Sequence, residues 1–164
     1  MSLENSVLPI LNPKLVKMLS DRLSLRPPQR EALEILDALF GRVLPPKAGE
    51  GLDTGLDVAA WLERIRATLP ANTGFREFER EFVSLAFALA TGVGKTRLMG
   101  AMIAYLHLLH GVKHFFVLAP NLTIYNKLIR DFSSSEPKYV FRGIPDFVAD
   151  PPIIITGEDY TQRD

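Results

Sequence analysis

Ala90-Thr91-Gly92-Val93-Gly94-Lys95-Thr96 stands between an apolar run, Phe82 to Ala90, and a stretch in which Leu98, Met102, Tyr105 and Leu109 recur at helical spacing. An apolar run of strand length, a glycine-rich turn and a Lys-Thr pair opening a helix make up the phosphate-holding pattern called Walker A. Phosphate oxygens are gripped where several backbone N–H groups converge with a cation. Side chains would block that approach, so glycine is needed at the tight positions, here Gly92 and Gly94. Lys95 would reach the β and γ phosphates, the Thr96 hydroxyl would ligand Mg²⁺, and the helix beginning near Lys95 would aim its positive end at the anion. Thr91, Gly92, Val93, Gly94, Lys95, Thr96 and Arg97 are therefore the candidate nucleotide contacts, with Lys95 and Thr96 the candidate catalytic residues. The strict pattern places glycine where this chain has Leu89, which indicates another P-loop branch.

Upstream, Leu15, Met18, Leu19 and Leu23 lie near helical spacing after Pro9 and Pro13. Pro27-Pro28 then open a second helical pattern through Ala32, Leu33, Leu36, Leu39 and Phe40, closed by Gly41. Residues 44–55 hold Pro45, Pro46, Gly49, Gly51 and Gly55 with little periodicity and are expected to form a mobile loop. Helical spacing returns from Leu56 to Leu69 through Ala60, Trp61 and Ile65. Phe75, Phe78 and Phe82 fit a helical stripe, and Val83 to Ala90 a strand.

Downstream, Gly111 suits the left-handed position just past the end of the Walker A helix. His114 to Ala119 reads as a second short strand ended by Pro120, and Asn121 as the cap of a helix through Leu122, Tyr125, Leu128, Ile129 and Phe132. Ile153-Ile154-Ile155 after Pro151-Pro152 reads as a third strand. Strand alternating with helix implies an α/β fold, a P-loop domain with a doubly wound, mainly parallel sheet. The expected division is an N-terminal helical region over 1–74 and the nucleotide-binding domain over 75–164.

The 164 residues are 47% apolar, enough to bury a core, and contain no cysteine, which excludes disulfides and thiolate zinc sites. Neither a secretory signal nor a membrane-length apolar run appears, so a soluble cytoplasmic protein without membrane association is expected. Zero net charge argues against a purely electrostatic nucleic-acid binder, although residues 95–142 carry seven basic side chains against two acids. His107, His110 and His114 have no interleaved carboxylate, and Gly111 separates the last from the others, so they read as surface or packing residues rather than a zinc site.

Three separated pieces, Leu25-Arg26-Pro27-Pro28-Gln29, the Walker A run and Leu118-Ala119-Pro120-Asn121-Leu122-Thr123, together resemble the first RecA-like domain of superfamily-two helicases and translocases. Leu89 to Thr96 and Val117 to Phe132 look especially like the Res subunit of type III restriction enzymes. The resemblance implies that Gln29 reads adenine through its amide, with Arg26 supporting the nucleotide. It also implies that Pro120, Asn121 and Thr123 sit where one nucleic-acid strand is held by its backbone, with Lys127 one turn further on. The cofactors implied are ATP and Mg²⁺. The partners implied are DNA and a modification methyltransferase subunit.

Hydrolysis in such proteins needs an acidic pair directly after an apolar strand. No Asp-Glu-x-His run is present, and in Ile153-Ile154-Ile155-Thr156-Gly157-Glu158-Asp159 a Thr-Gly pair separates the apolar run from the acids. The chain thus reads as the ATP-binding N-terminal part of a larger ATP-dependent DNA translocase, cut before Walker B and inactive in hydrolysis alone. A DEAD/DEAH-like helicase without nuclease fits the same residues. A P-loop small-molecule kinase or ATPase would make Gln29 and the Asn121 tract accidental, and a non-catalytic module is the reading if the P-loop is closed without ligand.

Overall fold

The computed structural model describes residues 10–42, 44, 58–69 and 74–159. Six helices follow one another: α1 (Pro13–Arg22), α2 (Pro27–Phe40), α3 (Val58–Thr68), α4 (Lys95–His110), α5 (Leu122–Phe132) and α6 (Pro145–Ala149). The chain divides into two compact units, one of Met1–Lys17 with Arg26–Val93, the other of Met18–Leu25 with Gly94–Asp164.

In the first unit α2 begins at Pro27, where a missing N–H costs nothing because first-turn N–H groups have no acceptor within the helix. Its stripe Ala32, Leu33, Leu36, Leu39 and Phe40 is buried, as the period predicts. Asp37 shares that buried face with no exposure at all. Its carboxylate accepts from the backbone N–H groups of Leu11 and Asn12 and from Asn12 Nδ2 at 2.8 Å, and Asn12 Nδ2 also donates to the Gly41 carbonyl at 3.0 Å. A buried carboxylate is tolerable only with such donors around it. The network fastens the segment before α1 to the C-terminal end of α2. On α3, Trp61 and Ile65 are fully buried, and the Trp61 ring lies 5.6 Å from that of Phe40, joining α3 to α2.

Helix α1 starts at Pro13, and its buried positions are Val16, Leu19 and Ser20, followed by Leu23 just beyond its end. The expected stripe is thus rotated, with Leu15 and Met18 only half-buried. In the second unit α4 buries Leu98, Ala101, Ala104 and Tyr105. It ends where the sequence indicates, on Gly111 at φ 66°, whose N–H donates to the His107 carbonyl at 2.9 Å. On α5 the cap is Asn121, whose Oδ1 accepts from the Ile124 N–H at 3.0 Å. The core of this unit is aromatic. Phe141 stacks on Phe147 at 4.3 Å, meets Tyr139 and Phe132 at 5.7 and 5.5 Å, and Phe147 meets His107 at 5.1 Å. Tyr139 donates its hydroxyl to the Phe147 carbonyl at 3.0 Å, and burial raises its pKa.

The expected parallel sheet is absent. No strand occurs among the described residues, 51% of which are helical, so the doubly wound RecA-like α/β fold is not seen. The runs 83–90, 114–119 and 153–155 are non-helical but unpaired, and Phe116, Leu118 and Ile153 are 89%, 77% and 73% exposed. Periodicity and β-branching report a local preference for extended backbone; a sheet exists only when a second strand supplies the ladder. The stripe Phe75, Phe78 and Phe82 is likewise not helical, since residues 74–82 form bends in which Phe75 meets Phe78 edge-on at 5.8 Å. The expected loop 44–55 lies outside the described residues apart from Leu44.

Candidate nucleotide-binding loop

The two halves of the Walker A run belong to different compact units. In the first, Gly92 has φ 81°, and a Cβ built on it would meet nothing within 4 Å. Glycine is therefore required here by backbone conformation rather than by crowding. Arg26 Nη1 donates to the Gly92 carbonyl at 3.2 Å, so the motif around Pro27-Pro28 is tied to the loop across 66 residues of sequence. Gln29 is 1% exposed, and its Oε1 accepts from the Arg26 backbone N–H at 2.8 Å, closing the start of α2. Thr91 is exposed and Val93 half-buried.

In the second unit Gly94, at φ 96° and ψ 50°, turns the chain directly into α4. The Gly94 carbonyl accepts from the Arg97 and Leu98 N–H groups at 3.0 and 3.2 Å. The N–H groups of Lys95 and Thr96 have no backbone acceptor among the described residues, as the first turn of a helix requires. Lys95 is exposed and makes no ion pair among the described residues. Arg97 extends instead toward the end of α1, donating to the Ser24 carbonyl at 3.3 Å.

Thr96 is half-buried, and its Oγ1 accepts from Lys127 Nζ at 3.3 Å. Lys127, half-exposed on α5, also forms an ion pair with Asp131 one turn further along. The structure thus brings a residue expected at nucleic acid onto the threonine expected at the metal. Asp131 was not among the sequence candidates. Its i, i+4 spacing from Lys127 is the signal that points to the pair, whereas the 31-residue separation of Lys127 and Thr96 carries none.

Pro120, Asn121 and Thr123 are exposed around the start of α5, where Asn121 is engaged in capping. Of the acidic candidates, Asp159 is held within its own turn, its Oδ2 accepting from Thr156 Oγ1 at 2.7 Å and its N–H donating to the Thr156 carbonyl at 3.1 Å. His107 Nδ1 lies 2.9 Å from the Val112 carbonyl, and His110 Nε2 is buried without a hydrogen-bond partner among the described residues.

The donor set at the head of α4 suits a magnesium nucleotide: unclaimed backbone N–H groups, an exposed ammonium and a hydroxyl on consecutive residues after a left-handed glycine. No helix of the described residues is long and apolar enough to cross a membrane. Comparison with known proteins finds no match among curated proteins and none among solved structures. The model of one family, described as type III restriction enzyme, res subunit, matches residues 22–162, from the end of α1 past the last of the candidate residues. The chain belongs to the type III restriction enzyme res subunit family.

Proposed function

We propose that this chain is the ATP-binding part of an ATP-dependent DNA translocase, the restriction subunit of a type III restriction-modification system. Family membership carries the broader statement, a helicase-like, ATP-dependent function on DNA. The observation that supports the finer reading is the head of α4, where Gly94 at φ 96° presents Lys95 and Thr96 with unclaimed N–H groups. Lys95 would neutralise the β and γ phosphates and Thr96 would hold Mg²⁺, which spreads the charge that develops as the terminal phosphoryl group leaves.

Adenine is read by Gln29 in this proposal. Its buried amide oxygen is held by the Arg26 N–H, so reaching the base requires that bond to open. DNA runs over the exposed start of α5, where Pro120, Asn121, Thr123 and Lys127 offer backbone contacts that do not depend on sequence. A methyltransferase subunit is the proposed partner and the cytoplasm the proposed compartment.

Calorimetric titration of ATP and GTP with Mg²⁺ tests the reading. ATP binds the wild-type chain and is lost in Lys95→Ala, and Gln29→Ala erases the preference over GTP. Equal binding of ATP to wild type and Lys95→Ala would end the nucleotide reading.

A further inference from the structure

Arg26 is held at both of its main-chain groups. Its N–H donates to Oε1 of the buried Gln29 at 2.8 Å, and its carbonyl accepts from the Gln29 and Arg30 N–H groups at 2.9 and 3.0 Å. From that fixed backbone the guanidinium donates to the Gly92 carbonyl at 3.2 Å, within the same compact unit. The Gly92–Val93 peptide is trans, so its carbonyl and its N–H lie in one plane and point to opposite sides. Whatever fixes the carbonyl therefore aims the Val93 N–H, which has no hydrogen-bond acceptor among the described residues. Gly92, at φ 81° and without a side chain, does not fix this plane by itself. Turned the other way, the peptide would offer an anion its carbonyl oxygen, an acceptor with no proton to donate.

We infer that Arg26 is a positioning residue that acts on a bound polyphosphate through the Gly92–Val93 peptide: by holding the Gly92 carbonyl it commits the Val93 N–H to the phosphates, and it touches neither the base nor the phosphates itself. The inference rests on the nucleotide reading of the Walker A loop. It gives the residue before α2 a part in phosphate binding that is separate from the reading of adenine. A guanidinium suits the task because it stays charged, and a charged donor on the carbonyl polarises the N–H at the far side of the same peptide.

The discriminating experiment is a double-mutant cycle on the whole chain, read by calorimetric titration of ATP, GTP and inorganic tripolyphosphate with Mg²⁺. Arg26→Met keeps most of the apolar stem and removes the donors, so affinity falls roughly five-fold, the effect of one hydrogen bond, and by the same factor for all three ligands. In a Gly92→Ala background, where the peptide is already disturbed, the same substitution costs less than about two-fold. Arg26 is exposed, so its replacement leaves the fold intact, which unfolding midpoints verify. A loss confined to ATP and GTP would place Arg26 on the nucleoside, and losses that multiply across the cycle would place it on the phosphates. Either result, or unchanged affinity in Arg26→Met, overturns the inference while nucleotide binding itself stands. Failure of the wild-type chain to bind ATP removes the nucleotide reading and this inference with it.

Discussion

Replacing Gly92 with alanine separates what the loop needs for folding from what it needs for a ligand. Gly92 has φ 81°, and an added Cβ meets nothing within 4 Å. The cost to folding is thus the left-handed backbone alone, about 1–2 kcal/mol for an L-residue. Restriction of the unfolded chain offsets about 0.4–1 kcal/mol of this. The net loss should be near 1 kcal/mol, a fall of a few degrees in the thermal midpoint.

Gly111, at φ 66° and equally open, is the matched control at the far end of α4. Gly111→Ala carries the same backbone penalty but lies outside the Walker A run. Thermal unfolding of both variants, paired with calorimetry of Mg·ATP, should show similar destabilisation. The loss of affinity should be confined to Gly92→Ala and reach about ten-fold or more, equivalent to about 1.4 kcal/mol. If folded Gly92→Ala binds ATP as wild type does, or if Gly111→Ala loses as much affinity, the argument that the glycine serves close phosphate approach is refuted.

Asp37→Ala strands the donors of Leu11 and Asn12 in a buried site. Urea unfolding should record a loss of about 3 kcal/mol, since each buried unpaired donor costs about 1–3 kcal/mol and relaxation recovers part of the sum. Asn121→Ala removes the α5 cap and should lower stability by about 1 kcal/mol. Fluorescence anisotropy should show weaker binding of single-stranded DNA at low salt, with ATP affinity retained. For Tyr139, burial raises the folded pKa above the usual 10.0. Its stabilising contribution is complete below the unfolded value and is lost as pH rises through the folded one, so unfolding midpoints should fall above pH 10 in wild type and less in Tyr139→Phe.

Legibility differed by the kind of information each feature needs. The boundaries of α2 and α4 follow from Pro27-Pro28, Gly94 and Gly111, residues whose own backbone preferences stop or start a helix. The cap at Asn121 was equally readable, because its partner is three residues away. Val16 and Ser20 took places on the buried face of α1 that apolar counting gave to Leu15 and Met18, since burial depends on what the face meets rather than on its own composition. The sheet failed for a related reason. Ile153, Leu118 and Phe116 have the side chains of strands but no ladder partner, and their exposure records that lack.

By itself, the amino-acid sequence determined the glycine-rich turn, the Lys95-Thr96 pair at the head of a helix and the family to which these residues belong. These are properties of contiguous residues, set by φ, by charge and by helix termini. Only the tertiary structure decided that Asp37 is a buried anchor, that Gln29 is buried, and that Arg26 reaches Gly92 and Lys127 reaches Thr96. Each of the last two contacts joins residues more than thirty positions apart. Which distant donor finds which acceptor is settled by how helices pack, and no local preference encodes it.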